Sequence, residues 1–247
     1  MTDVLFLPGG IAPAEVRYRP FLNHLPGIRP LLKDLEVYSG EAPPTGYSVQ
    51  TEVEGIGRAA ERAGWDRFHI YAHSGGAACA LAFVASHPER VLSLAVDEPA
   101  SDFTPVDQAD PYWAEIEDAV KLPGPQSVAA FLQLQVASGV ELSGPPEGPP
   151  PPWMAKRPAG MAALANALRN HRVDPASYSK FDGPVLFTFG SLTHPRWRAM
   201  RDRLKGLFRD FTSEEFEGLH HLNTCHQAEP ARTAELVTKL WGRAKPQ

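Results

Sequence analysis

Cysteine is scarce in this chain: Cys79 and Cys225 are the two among 247 residues. They lie far apart and match no zinc or thiol-redox spacing, which argues against a disulfide framework and for a reducing cytoplasm or a setting indifferent to redox state. Long apolar runs are missing as well. No stretch approaches the roughly 20 residues needed to cross a bilayer. The start, Met1-Thr2-Asp3 ahead of Val4-Leu5-Phe6-Leu7, has neither the basic region nor the cleavage site of a secretory leader, so the expectation is a cytoplasmic protein with no membrane partner. Basic runs are absent too: 24 Lys and Arg against 29 Asp and Glu leave a net charge of −5 and no patch to follow a phosphate backbone. Nucleic acid is therefore not an expected partner. There is no phosphate-cradling loop, cofactor motif, metal-ligand cluster or internal repeat, so neither a cofactor nor a metal is expected.

What is present is ordinary globular chemistry, 43% apolar and 21% charged, which excludes disorder, collagen and coiled coil. A chain of this length buries roughly three quarters of the surface it exposes when unfolded, enough for a large core without staples. Short apolar runs end in Gly, Pro or polar turns and alternate with longer helix-like stretches, the pattern of a parallel sheet with crossover helices. Strands are expected at Val4 to Leu7, Leu35 to Tyr38, Phe68 to Ala72, Val91 to Val96, Pro184 to Phe189 and Ser213 to Phe216. Helices are expected over Val49 to Gly64, with Val53, Ile56, Ala59, Ala60 and Ala63 on one face, over the all-round apolar Gly75 to His87, and over Pro230 to Trp241.

Residues 101–178 interrupt the alternation without a strand signal. They carry three helix-like pieces and a proline-rich stretch from Gly144 to Pro152, which reads as a stiff loop. This segment is expected to be a helical cap inserted into a core formed by residues 1–100 and 179–247. Its large apolar side chains include Tyr112, Trp113, Phe131, Leu132, Trp153, Met154 and Met161. Most should pack the insertion onto the core; Trp113, Phe131, Trp153 and Met154 are the candidates for lining a substrate pocket.

The run Tyr71-Ala72-His73-Ser74-Gly75-Gly76 places a serine between a buried strand and a buried helix, with small residues two positions away on either side. A nucleophile on a sharp strand-to-helix turn needs such neighbours, because larger ones would collide across the turn. Against the Gly-x-Ser-x-Gly pattern, Ala72 replaces the first glycine. Apart from the insertion, nearly the whole chain resembles the α/β-hydrolase fold family. That resemblance implies a mostly parallel sheet flanked by helices, and half of an oxyanion hole in Leu7-Pro8-Gly9-Gly10 after the first strand. A tetrahedral intermediate needs two preorganised N–H donors, and Gly10 and Gly75 are the candidates.

A serine hydroxyl needs a base, and Gly218-Leu219-His220-His221-Leu222-Asn223-Thr224-Cys225-His226 supplies three histidines ahead of the last helix. His221 best fits the family arrangement, a base just after a glycine with a second histidine, here His226, five positions on. His220 and His226 are the alternatives. His73 adjoins the nucleophile, is expected to point away from the base, and is read as structural. Gly183 through Arg201 contains no Asp or Glu, although the family commonly carries its acid there; Ser191 stands in that place. Asp97 and Glu98 end the strand after the nucleophile helix, on opposite faces. Glu98 occupies the position at which some haloalkane dehalogenases and the fungal zearalenone lactonases carry a glutamate acid, so it is the candidate, with Asp97 as the alternative.

The resemblance implies a serine hydrolase acting on an ester or lactone of a small, largely apolar substrate through an acyl-enzyme. A carbon–carbon bond hydrolase or cofactor-independent lyase of the same fold, or a ligand-sensing receptor, would share these features. A homodimer is compatible with the sequence.

Overall fold

The computed structural model describes residues 1–142, 144 and 148–244. In chain order its strands are β1 (Thr2–Leu7), β2 (Ile28–Leu32), β3 (Phe68–His73), β4 (Val91–Asp97), β5 (Val185–Gly190) and β6 (Phe211–Phe216). The helices are α1 (Ala14–Leu22), α2 (Val49–Arg62), α3 (Ser74–Ser86), α4 (Pro105–Gln108), α5 (Tyr112–Lys121), α6 (Gly124–Gln133), α7 (Arg157–Asn170), α8 (Arg196–Lys205), α9 (Cys225–Ala228) and α10 (Pro230–Arg243). All strand pairs are parallel, in the order β2-β1-β3-β4-β5-β6.

Side-chain alternation along these strands sorts the core into two layers. Leu5, Leu7, Ile70, Ala72, Leu94 and Val96 face α2, α3 and α8, while Val4, Phe6, Tyr71 and Ala95 face α1 and α10. Helix α3 is buried on every side from Ser74 to Val84, which is why its sequence shows no polar face.

One expected strand was misplaced. Leu35 to Tyr38 is not extended: residues Glu36–Tyr38 form a 3-10 turn, and the Glu52 carboxylate of α2 accepts from the backbone N–H groups of Glu36 (2.8 Å) and Val37 (3.0 Å). A side chain there satisfies the amides that a neighbouring strand would otherwise have bonded. The strand is Ile28–Leu32, whose Pro30 argues against a strand in sequence but is tolerated because β2 is the edge of the sheet. Positions 145–147 of the proline-rich stretch, and with them the middle of the expected stiff loop, lie outside the described residues; Pro152–Lys156 forms a 3-10 turn leading into α7.

The chain leaves β1 for β2 on one side and returns to β3 on the other, so the crossover direction switches between β1 and β3. Open α/β sheets hold ligands outside the carboxyl ends of strands at such a switch. Here that place is bounded by the Pro8-Gly9-Gly10 loop, the start of α3 and helices α5, α6 and α7.

Candidate active site

Ser74 follows β3 directly and has φ = 53°, a left-handed backbone that a non-glycine residue adopts only where the surroundings enforce it. The enforcement is visible in two glycines. A Cβ on Gly76 would run into the carbonyl of Pro8 and the side chain of Leu7, and a Cβ on Gly9 would come within 2.8 Å of His73 Nδ1 and 3.1 Å of Ser74 Cβ. Ala72 fits in the first small position because it lies in β3, paired with Leu7 of β1.

Ser74 Oγ lies 2.9 Å from His221 Nε2, and His221 Nδ1 lies 2.6 Å from Glu98 Oε2. The three side chains come from three remote segments, and all are buried. Glu98 stands just beyond β4 with φ = 46°; its amide bonds to Thr188 O at 3.0 Å, and its Oε1 accepts from Gly190 N–H at 2.7 Å. The carboxylate is thus held by the end of β5, the place where the family resemblance puts an acid and this chain has none.

Two aromatic rings fix the imidazole of His221. Trp197 stacks on it at 4.6 Å between centroids and 24° between planes, and the Trp197 indole N–H is anchored on Pro99 O at 2.9 Å. The ring of His73 lies 4.7 Å away. This corrects the expectation that His73 turns away from the base. Alternation along β3 puts His73 on the same side as Tyr71, and the histidine loop descends over that side of the sheet. Both ring nitrogens of His73 are buried without a hydrogen-bond partner among the described residues.

Burial lowers the pKa of His221 to about 3, so the ring is uncharged at rest. Burial, and then the charge of Asp97, push the Glu98 carboxyl up, against the amide of Gly190. A neutral imidazole on this axis gives Nδ1–H to Glu98 and leaves the Nε2 lone pair for the Ser74 hydroxyl.

The alternatives go elsewhere. His220 Nδ1 accepts from the amides of Leu222 (3.2 Å) and Asn223 (3.3 Å). His226 lies beneath the site, 3.1 Å from Tyr71 Oη and 3.1 Å from Thr224 Oγ1. Asp97 faces His226, with Oδ2 at 3.6 Å from Nδ1 and Oδ1 accepting from Thr188 Oγ1 at 2.8 Å. Among the described residues two trios of metal-ligating type result, His73, Glu98 and His221, and Asp97, Cys225 and His226. In the first, Glu98 and His221 are hydrogen-bonded to each other; in the second, Asp97 and His226 are bonded to Thr188, Tyr71 and Thr224.

Among the described residues, the amides of Gly10 and Gly75 make no intramolecular hydrogen bond, whereas the Gly76 amide is spent on Pro8 O at 3.1 Å. Both free amides border the cavity above Ser74. The Gly10 peptide is held from behind by the Tyr38 hydroxyl, which donates to Gly10 O at 2.5 Å.

Of the four expected lining residues, Trp113 and Phe131 border this cavity. Trp153 and Met154 do not: they sit half-buried in the 3-10 turn at the outer end of α7, where Trp153 faces the Arg157 guanidinium at 5.2 Å. Arg196 is a lining residue that sequence reasoning missed. It is held by Asp107 at 2.7 Å and Ala100 O at 2.9 Å, with its guanidinium 4.1 Å from the Tyr112 ring centre. Its position in the segment after β5, at the carboxyl edge of the sheet, was the one available signal.

The family profile described as α/β hydrolase fold matches residues 36–124. No curated protein matches the chain. Solved structures are similar over nearly its full length. MGS-M2, an α/β hydrolase enzyme from a Medee basin deep-sea metagenome library, is 16% identical with a TM-score of 0.74, over 100% of this chain and 91% of that one. The esterase EaEST from Exiguobacterium antarcticum is 22% identical with a TM-score of 0.74, over 98% and 92%. The carboxylesterase CesB from Bacillus subtilis is 16% identical with a TM-score of 0.63, over 97% and 83%. The chain has the α/β-hydrolase fold. Among its described residues, no helix is long and apolar enough to cross a membrane.

Proposed function

We propose that this α/β-hydrolase-fold chain is a serine hydrolase that cleaves an ester or lactone through an acyl-enzyme, with residues 101–178 as its cap. The observation that carries the reading is the unbroken line of hydrogen bonds from Ser74 Oγ through His221 to Glu98, at the floor of a cavity bordered by two unspent amides. Esterases among the structural neighbours support it.

In this mechanism Ser74 Oγ attacks the carbonyl carbon as His221 Nε2 takes its proton. The carbonyl oxygen becomes an oxyanion held by the Gly10 and Gly75 amides, and the new imidazolium is stabilised by Glu98 and by the Trp197 face. Collapse expels the alcohol, which leaves with the proton from Nε2, and Ser74 carries the acyl group. Water then gives a proton to the same nitrogen, attacks the acyl carbon and releases the acid. With Asp or Glu in place of the serine, the chemistry would pass through an alkyl ester instead; a hydroxyl nucleophile makes acyl transfer the natural step.

The test is labelling with a fluorophosphonate followed by peptide mapping. The expected result is modification at Ser74, with loss of both labelling and p-nitrophenyl acetate turnover in Ser74→Ala. Saturable binding of esters without turnover would favour a sensor and overturn the reading.

A further inference from the structure

We infer that the cavity beside Ser74 is an acyl pocket for short-chain esters, with Leu164 as its ceiling. This rests on the ester-hydrolase reading. The cavity holds about 40 Å³ of space open to water. An apolar cavity of about 150 Å³ takes a benzene ring, so this much smaller space admits a short chain only. Its roof is a helical stripe on α7, Met161, Leu164, Ala165 and Leu168, at the spacing that puts side chains on one face; Trp113 and Ile116 of α5 close the side.

Leu164 caps the cavity beside both glycines: its Cδ2 lies 3.5 Å from where a Cβ on Gly10 would be and 2.8 Å from where one on Gly75 would be. The pocket takes the acyl part and not the alcohol, because the departing oxygen must collect its proton from His221 Nε2. The cavity is bounded by Gly10, Ser74 and Gly75, and His221 is not among its described lining residues.

The roof is pinned at both ends. At its start, the Arg157 guanidinium lies 3.8 Å from the Tyr38 ring centre, and a Cβ at Gly160 would collide with the same ring. Tyr38 in turn holds the Gly10 carbonyl. At its far end, Gln108 Nε2 donates to Leu168 O at 3.2 Å, and Arg169 bonds to the Gln108 carbonyl. A roof tied in this way makes the size limit a property of the folded chain.

The experiment compares p-nitrophenyl acetate, butyrate and octanoate on the wild-type chain, Leu164→Ala and Ala165→Leu, with Ser74 titrated by fluorophosphonate in each. Wild type should lose about tenfold or more in kcat/KM between butyrate and octanoate. Leu164→Ala should raise the octanoate-to-acetate ratio about tenfold, and Ala165→Leu should lower the butyrate-to-acetate ratio. A matched series of acetates with lengthening alcohols should show no such cutoff. Preference for octanoate in wild type, ratios unmoved in both variants, or a cutoff that follows the alcohol would each overturn the acyl pocket while Ser74 still labels. Absence of labelling and of turnover on every ester would overturn the hydrolase reading itself, and the inference with it.

Discussion

Two histidine–carboxylate pairs stand back to back at the end of β4, and they differ in what surrounds them. Glu98 and His221 form the front pair, with Ser74 and a cavity before them. Asp97 and His226 form the rear pair, packed among Tyr18, Phe21 and Tyr71, where the Tyr18–His226 ring distance is 5.0 Å and Phe21–Tyr71 is 5.3 Å. Both histidines have pKa values lowered chiefly by burial. The residue types are thus nearly the same and the electrostatic setting is similar. What separates a candidate active site from a buried polar cluster here is a hydroxyl on a left-handed turn and an empty space beside it.

Breaking the front pair should have the largest effect. In Glu98→Gln the amide must face two donors, the Gly190 N–H and the His221 Nδ1–H, and can accept from one oxygen only. The imidazole then turns or takes the other tautomer, and kcat should fall about a thousandfold or more. Retention of turnover within tenfold would shift the acid role away from Glu98. Breaking the rear pair sharpens the contrast. Asp97→Ala should destabilise the fold by about 1–3 kcal/mol, read by chemical denaturation, because Thr188 and Cys225 both donate to Asp97 Oδ1 in the buried layer and would lose their acceptor. Its kcat on p-nitrophenyl acetate should stay within about tenfold of wild type. The smallest change is expected with pH. A general base works when deprotonated, so activity is present above its pKa and lost as pH falls through it. With His221 lowered from 6.5 to about 3, the acid limb of kcat/KM should lie well below pH 6.5, and turnover should vary little from neutrality down to that point. An acid limb at 6.5 or above would mean a solvated imidazole and a site unlike the one described.

Much of the front pair was legible in the sequence for local reasons. Ala72, Ser74, Gly75 and Gly76 announce a tight strand-to-helix turn by size alone, and Asp97 and Glu98 must point apart because they end a strand. The choice of His221 over His220 and His226 leaned on family resemblance, since loop residues have no period to assign them a direction. The errors share a cause. Leu35 to Tyr38 has a strand's composition but meets Glu52, a partner 14 residues beyond its end. Trp153 and Met154 have the size and polarity of pocket-lining side chains but sit in the turn that precedes α7, and the direction of His73 relative to the base depends on the side from which the histidine loop arrives. In each case a distant segment decides the outcome.

By itself, the sequence determined the alternation of parallel strands and helices, the turn that presents Ser74, and the order of Ser74, Glu98 and His221 along the chain. These follow from side-chain size, polarity and period, which act over a few residues. Tertiary structure alone decided that Gly190 and Thr188 would hold Glu98, that Trp197 and His73 would clasp His221, and that Leu164 would lie over Gly10 and Gly75. Those contacts join segments tens of residues apart, and they are set by how helices and loops pack across the carboxyl edge of the sheet, a property that no local pattern encodes.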